Sequence, residues 1–396
     1  MIERMKDYDF TLIITPILLA AFGIVMIYSA SMVAAVVEGL GSTYYLFKQL
    51  QWFIIGLIGF VFCCVFPYRH YQKMIKMIVL FSILLLIGVL FFGEEANNAT
   101  RSITLFGSIS IQPSEFIKLG LILYLASVYS KKQEYITQFS TAVLPPLVLT
   151  GFILGLILLQ PDIGTAAIIF LFACAIIFSS GIHFKHLFIL IAISVTLFVI
   201  TIPSMITDVR VARFTGAYEP FATPETGGYH LIQSYLAIGV GGLTGEGLGQ
   251  SVQKLGYLWG AHTDFIMSVI TEELGLVGLI IVVGMLMIIV LRGFYIAREC
   301  EDSFGSLIAI GISSMIGIQA IINMGAISGV LPITGIPLPF LSYGGSSLLV
   351  LMLSMGILNN IAMSVKKKKQ QPVREEPTHR TQNREFKNVG GRSWSS

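Results

Sequence analysis

The stretch FTLIITPILLAAFGIVMIYSASM, from Phe10 to Met32, decides the fold class. It contains no charged residue, and a helix of about 20 such residues is long enough to cross the hydrocarbon core of a bilayer. It is longer than the apolar core of a secretory signal. Ser29-Ala30-Ser31 resembles a cleavage site only loosely, so the run reads as an uncleaved signal anchor. Applied along the rest of the chain, the same criterion gives about ten spans in all. The others are Trp52–Phe66, Met77–Phe92, Ser114–Tyr129, Val143–Leu159, Gly164–Ser180, Phe188–Met205, Phe265–Leu291, Leu307–Ile327 and Ser342–Met363. The second and third are short, and Pro67 closes the second. Composition agrees: of 396 residues, 55% are apolar and 12% charged, with mean hydropathy +0.81. Soluble domains average about 45–50% apolar and about 25% charged. The expected fold is therefore an all-α polytopic membrane protein. A formal net charge of +3, with no basic patch interleaved with aromatics, excludes nucleic acid as a partner. Cys63, Cys64, Cys174 and Cys300 have neither metal nor disulfide spacing.

Lysine and arginine set the orientation, because cytoplasmic loops hold an excess of both. One side carries Arg4, Lys6, Arg69, Lys73, Lys76, Lys131, Lys132, Lys185, Arg292, Arg298 and Lys366 to Lys369. The other carries Lys48, Arg101, Arg210, Arg213 and Lys254. Both termini are then expected to be cytoplasmic. The domains follow: a cytoplasmic N-terminus over 1–9, a membrane domain over 10–365 and a basic tail over 366–396. That tail has little to bury and is expected to be disordered. A large extracellular connection, 207–268, joins the seventh and eighth spans. It gathers Arg210, Arg213, Glu219, Glu225, Glu246, Lys254, His262 and Asp264, with Glu272 and Glu273 just beyond. That much charge on the side away from the basic ends marks it for chemistry or recognition.

In this topology every even-numbered span begins outside, and polar motifs stand at those beginnings. Gln112-Pro113-Ser114-Glu115 opens the fourth, Gln160-Pro161-Asp162-Ile163-Gly164-Thr165 the sixth and His262-Thr263-Asp264 the eighth, while Gly335 to Ser347 leads into the tenth. Helix N-termini carry free N–H groups and partial positive charge, so several together suit an anionic ligand. Glu115 and Lys118, three apart, share a helix face: either they pair with each other or Lys118 meets a phosphate. Asp162, in a Pro-Asp-x-Gly turn, suits a helix cap or direct chemistry. Arg101, Arg210 and Arg213 suit a solvated surface or bidentate phosphate recognition. Gly and Pro density from Gly325 to Gly345 breaks any helix there, and irregular backbone at membrane depth must be buried or line a cavity. Asp264 is either an N-cap or a general base, its pKa raised by shielding and by nearby acids such as Glu272 or Glu273. His262 suits a hydrogen bond within the loop.

The motifs GIPLPFLSYGGSS (Gly335–Ser347), AHTDFI (Ala261–Ile266), QPSEFIKL (Gln112–Leu119) and QPDIGTA (Gln160–Ala166) together resemble the SEDS family. Its members FtsW, RodA and SpoVE are ten-helix bacterial peptidoglycan polymerases. The likeness runs from about Asp9 to Ser364. GLGQSVQKLGYL (Gly247–Leu258) with FLSYGGSS is more similar to the division branch than to the elongation branch, and the sporulation branch stays open. The chain departs from the family pattern at Trp259-Gly260, where Pro-Glu is usual, and at Ser102, where Trp is common.

The resemblance implies a glycosyltransferase that polymerises lipid II, a disaccharide-pentapeptide on undecaprenyl diphosphate, into β-1,4 glycan for the division septum. Inversion at the anomeric carbon requires a base opposite the leaving group, and Asp264 is the expected base. Arg101, Lys118, Arg210, Arg213, Lys254, His262 and Ser342 are the expected diphosphate or sugar contacts, supported by Glu115, Asp162, Glu272 and Glu273. No cofactor is obligatory on this reading, although a divalent cation, Mg or Mn, could share the diphosphate charge. The implied partners are a class B penicillin-binding protein, which is a transpeptidase, and other division proteins. Broken helices and intramembrane charge also fit a flippase for the lipid-linked precursor, but here the charges gather on one side. A third reading is a scaffold that recruits division proteins through the basic tail.

Overall fold

A computed structural model describes residues 7–96, 99–105, 109–133, 139–182, 188, 192 and 208–370. The helices in chain order are α1 Phe10–Val37, α2 Tyr44–Val65, α3 Tyr71–Phe92, α4 Pro113–Lys131, α5 Leu144–Leu159, α6 Ile163–Ser179, α7 Asp208–Tyr218, α8 Tyr229–Gly241, α9 Ile266–Glu299, α10 Ser303–Ile327 and α11 Gly345–Gln370. The fold is an all-α membrane bundle. Among the described residues six helices are long and apolar enough to span a membrane: α1, α2, α3 with its preceding turn, α9, α10 and α11. The apolar α5 and α6 are shorter, at 16 and 17 residues. Helix α4 has 19 residues and carries Glu115, Lys118 and Lys131. The expected seventh span, apart from 188 and 192, lies outside the described residues.

Side chains on the bundle perimeter, such as Ile58, Phe62, Met77 and Phe91, are left exposed. Only hydrocarbon makes that arrangement favourable, since a helix satisfies its own backbone and needs no water. Helices α10 and α11 are the most enclosed spans, each with 72% of its apolar window buried.

The second and third spans are not short: α2 and α3 have 22 residues each. Lys48, Gln49 and Gln51 in one, and Gln72, Lys73 and Lys76 in the other, are polar yet helical, so an apolarity test clips those first turns. The connection from α3 to α4 departs from an all-helical expectation. It folds as a three-stranded antiparallel sheet: β1 Glu94–Ala96, β2 Ala99–Leu105 and β3 Ile109–Ile111. Helix α11 continues through Lys366–Lys369 to Gln370, past the expected start of the tail. Lysine is a good helix former, and cations favour a helix C-terminus. Lys368 and Lys369 also pair with Glu301 and Glu299. Residues 371–396 lie outside the described residues.

The connection 207–268 is structured where it is described. Helix α8 packs on α9, and the Ser234 hydroxyl joins the Ser268 hydroxyl at 2.8 Å and donates to the Ile327 carbonyl at 2.9 Å. Helix α9 breaks its ladder at Gly275, where φ is 65° and ψ is −159°. The Gly-rich chain after α8 repairs the break. Glu246 and Gly247 donate backbone N–H groups to the carbonyls of Glu272 and Glu273, at 3.0 and 2.9 Å, while Leu276 and Val277 donate to Gly242 and Leu243. A Cβ on Gly245 would lie 2.2 Å from the Glu273 carbonyl oxygen, so the interlock needs glycine there.

Candidate active site

Five helices begin around one cavity of about 420 Å³. Helix α2 contributes Tyr44, Lys48 and Trp52, α4 contributes Glu115 and Lys118, and α6 contributes Thr165 with its cap Asp162. Thr263 and Asp264 precede α9, and Tyr343 and Gly344 lead into Gly345–Ser347 of α11. The backbone from 328 to 344 is irregular, and Gly335, Ile336 and Pro337 from it complete one wall. Several of its polar groups are satisfied internally, as membrane depth favours, although the Thr334 hydroxyl has no partner among the described residues. The Ser342 hydroxyl accepts from the Leu338 N–H at 2.7 Å, Tyr343 donates its N–H to the His262 carbonyl at 2.9 Å and Gly344 donates its N–H to Gln49 at 3.3 Å.

Lys118 and Glu115 form a buried ion pair at 2.9 Å, with side chains 2% and 4% exposed. Lys118 also donates to Gln319 at 3.3 Å. The second carboxylate oxygen of Glu115 has no partner among the described residues. A charge pair this dry is costly to bury, and here it faces a cavity rather than packed side chains.

Asp162 is the N-cap of α6. Its carboxylate accepts from the Thr165 N–H at 3.2 Å and the Thr165 hydroxyl at 2.8 Å. The capping position of α9, by contrast, is Phe265, which has no polar side chain. The Asp264 carboxylate accepts from the Thr263 hydroxyl at 2.8 Å. Burial raises its pKa above the ordinary value, opposed by the Thr263 hydrogen bond and by the charges of His230 and Arg213. Gly260 makes room for the carboxylate: its φ is +75°, and a Cβ there would lie 2.6 Å from Asp264 Oδ1.

The other expected site residues lie elsewhere. Glu272 and Glu273 do not act on Asp264 as neighbouring acids; they anchor the loop that leads to it. Glu272 accepts from the Ser251 hydroxyl at 2.5 Å and the Val252 N–H at 2.8 Å. Glu273 pairs with Lys254 at 2.8 Å, their side chains 0% and 2% exposed, and accepts from the Ser29 hydroxyl at 2.6 Å. Lys254, expected to contact substrate, is thus occupied away from the cavity lining. Its long apolar stem lets it reach inward from a short turn to the buried Glu273 carboxylate.

The His262 ring packs on Tyr45, centroids 4.7 Å apart, and on Tyr343 at 5.7 Å. Burial lowers its pKa, so it is a neutral wedge behind the wall. Ser342 is a backbone acceptor. Arg213 is exposed on α7 and does not line the cavity. The backbone of Arg101 lies in β2 and that of Arg210 in α7, and their side chains lie outside the described residues.

Sequence reasoning passed over Lys48, Gln319 and Asn323. Lys48 stands one turn inside α2, lines the cavity and lies over the Tyr44 ring at 5.7 Å. Its signal was present: a lysine in the first turn of a span. Gln319 and Asn323 were visible only as amides in an apolar run. Among the described residues no group of three or more His, Cys, Asp or Glu could hold a metal ion.

Known proteins agree with this architecture. The FtsW/RodA/SpoVE family profile, described as cell cycle protein, matches residues 9–367. A probable peptidoglycan glycosyltransferase FtsW of Bacillus subtilis is 49% identical over 94% of this chain and 95% of its own length. Stage V sporulation protein E of the same organism is 38% identical over 91% of this chain and 99% of its own. A chain solved in a peptidoglycan synthase complex superposes with a TM-score of 0.73 at 26% identity, covering 92% of this chain and 99% of that one. The crystal structure of Thermus thermophilus rod shape determining protein RodA gives 0.65 at 28% identity, covering 92% and 98%. With the profile spanning nearly the whole chain, the protein belongs to the FtsW/RodA/SpoVE family of cell cycle proteins.

Proposed function

We propose that this protein is a peptidoglycan glycosyltransferase of the division type, polymerising lipid II at the outer face of the bacterial cell membrane. One observation carries the mechanism: Asp264, whose pKa burial raises, and the Glu115–Lys118 pair open onto the same cavity at the outward ends of five helices. The substrate is amphipathic in the same sense, with a lipid tail for the bilayer, a diphosphate at its edge and sugars outside. The name of the B. subtilis relative supplies the reaction class.

In the reaction the 4-hydroxyl of one lipid-linked sugar attacks the anomeric carbon of another. A carbon–oxygen bond forms to the acceptor, the bond to the diphosphate breaks with its electron pair leaving on phosphate, and the acceptor proton passes to Asp264. A base whose pKa lies closer to neutrality takes that proton more effectively in the transition state. Lys118 and Lys48 face the leaving diphosphate, with Arg101 and Arg210 as further candidates to neutralise it. Such preorganised charge acts strongly in a water-poor site.

On this reading both termini are cytoplasmic, and the protein works with a class B penicillin-binding protein and other division proteins. The test is polymerisation of labelled lipid II by purified wild type and Asp264→Asn, with and without the transpeptidase. Wild type should make glycan, and Asp264→Asn should lose about 10²- to 10⁴-fold in rate while still binding lipid II. Translocation of lipid II in vesicles with no glycan made would instead identify a flippase. Glycan synthesis by Asp264→Asn within a few-fold of wild type would remove Asp264 as the base.

A further inference from the structure

Helix α10 holds two amides one turn apart, Gln319 and Asn323. Residues four apart share a helix face, and both side chains are buried, at 0% and 1% exposure. Each joins separate elements. Gln319 accepts from Lys118 at 3.3 Å through Oε1 and donates through Nε2 to the Pro337 carbonyl at 2.9 Å. Asn323 donates through Nδ2 to the Ile336 carbonyl at 2.7 Å and to the Asp264 carbonyl at 2.8 Å. An unbroken series of contacts therefore runs from Lys118 through Gln319, the Ile336–Pro337 backbone and Asn323 to Asp264.

Lys118 and the two amides stand on regular helices, α4 and α10, and the other members do not. Helix α10 is continuous from Ser303 to Ile327. The segment 328–344 has no ladder of its own, and Asp264 stands before α9 begins. Two amides on a rigid helix thus tie Lys118 on α4 to two irregular stretches, which the bond from the Tyr343 N–H to the His262 carbonyl also joins.

We infer that Gln319 and Asn323 are positioning residues for glycosyl transfer, setting the separation between the cation that meets the leaving diphosphate and the carboxylate that takes the acceptor proton. The inference rests on the roles given above to Lys118 and Asp264. In an inverting transfer the base and the leaving group lie on opposite faces of one carbon. A misplacement on the order of 1 Å can cost about a hundredfold in rate. The plain alternative is that the two amides only satisfy buried backbone. The chain contains a control for that. Asn360 on α11, 3% exposed, does the same kind of work away from the cavity: it accepts from the Tyr68 N–H at 2.9 Å and donates to the Cys64 carbonyl at 2.7 Å.

The experiment compares full-length Asn323→Leu, Gln319→Met and Asn360→Leu, with Asp264→Asn alongside. It measures kcat and KM for lipid II, lipid II binding, and thermal midpoint in detergent. Asn323→Leu and Gln319→Met should lose about tenfold to a hundredfold in kcat, with KM and binding nearly unchanged. Asn360→Leu, destabilised to a similar degree, should keep its kcat. The inference is overturned if the α10 variants lose no more kcat than Asn360→Leu at matched thermal midpoint, or if they lose lipid II binding in step with kcat. Should Asn323→Leu fail to insert, the nearly isosteric Gln319→Met decides alone. Wild-type kcat in both α10 variants beside an inactive Asp264→Asn removes this inference and leaves the base in place; an active Asp264→Asn removes both.

Discussion

Replacing Lys254 with methionine keeps the stem and removes the ammonium that faces Glu273. The two groups are 2.8 Å apart with side chains 2% and 0% exposed, and the Ser29 hydroxyl is their shared neighbour. At that distance and an effective dielectric of about 20, the attraction is about 6 kcal/mol. Desolvating both ions costs several kcal/mol each, so the pair as a whole contributes little net stability. Breaking it is different, because the surviving partner, carboxylate or ammonium, stays buried with its charge uncompensated. Lys254→Met alone and Glu273→Leu alone should therefore each destabilise by about 3–5 kcal/mol. The double variant should return to within about 2 kcal/mol of wild type, since apolar replacements of buried pairs are often neutral. Equilibrium unfolding of the four proteins in detergent, followed by tryptophan fluorescence, gives the cycle. Single losses that simply add in the double variant would refute the reasoning, because additivity means the two groups do not interact. The same proteins bear on function: an anchor that is restored structurally should restore glycan synthesis with it, whereas a substrate-binding Lys254 would leave the double variant folded and inactive.

Asp264→Asn should raise the thermal midpoint at neutral pH. The folded pKa of Asp264 lies above its unfolded value, so any stability from its proton is present below the unfolded pKa and lost as pH rises through the folded one; equal midpoints at neutral pH and at low pH, relative to wild type, would contradict this. Gly260→Ala places a Cβ 2.6 Å from Asp264 Oδ1 at a φ of +75°, and should lower kcat by about tenfold or more with lipid II binding kept, read in the polymerisation assay. Gly275→Ala meets the Leu243 carbonyl oxygen at 2.5 Å and forces a side chain into a conformation only glycine adopts freely; it should destabilise by at least about 1–3 kcal/mol in detergent unfolding. Cysteines placed at Glu225 and Gln371 should react with an impermeant thiol reagent from opposite sides of the membrane, and labelling of both from one side would overturn the orientation read from the charges.

What could be read from sequence, and what could not, divides along physical lines. Apolar runs were legible because a bilayer imposes a length and a polarity on every span. Their polar first turns were not, since Lys48 and Gln72 look like loop to any apolarity measure while helix geometry costs them nothing at the interface. The sheet from Glu94 to Ile111 left no strong pattern, being short and partly polar. Within the site, Asp264, Lys118, Glu115 and Asp162 stood out as charges at span beginnings, and a membrane makes such charges expensive enough to be informative. The same logic did not reveal how Lys254 is held. Its charge marked it as exceptional, but only the fold shows that Glu273, nineteen residues away in sequence, is its partner. Gln319 and Asn323 failed for the opposite reason. An uncharged amide in an apolar helix announces a buried hydrogen bond without saying to what, and the carbonyls it holds belong to Asp264, Ile336 and Pro337 in other elements. Charge is legible where burial makes it rare. Partnership across elements is set by packing, and so the sequence points to the charged groups at the cavity more readily than to the neutral residues bonded around them.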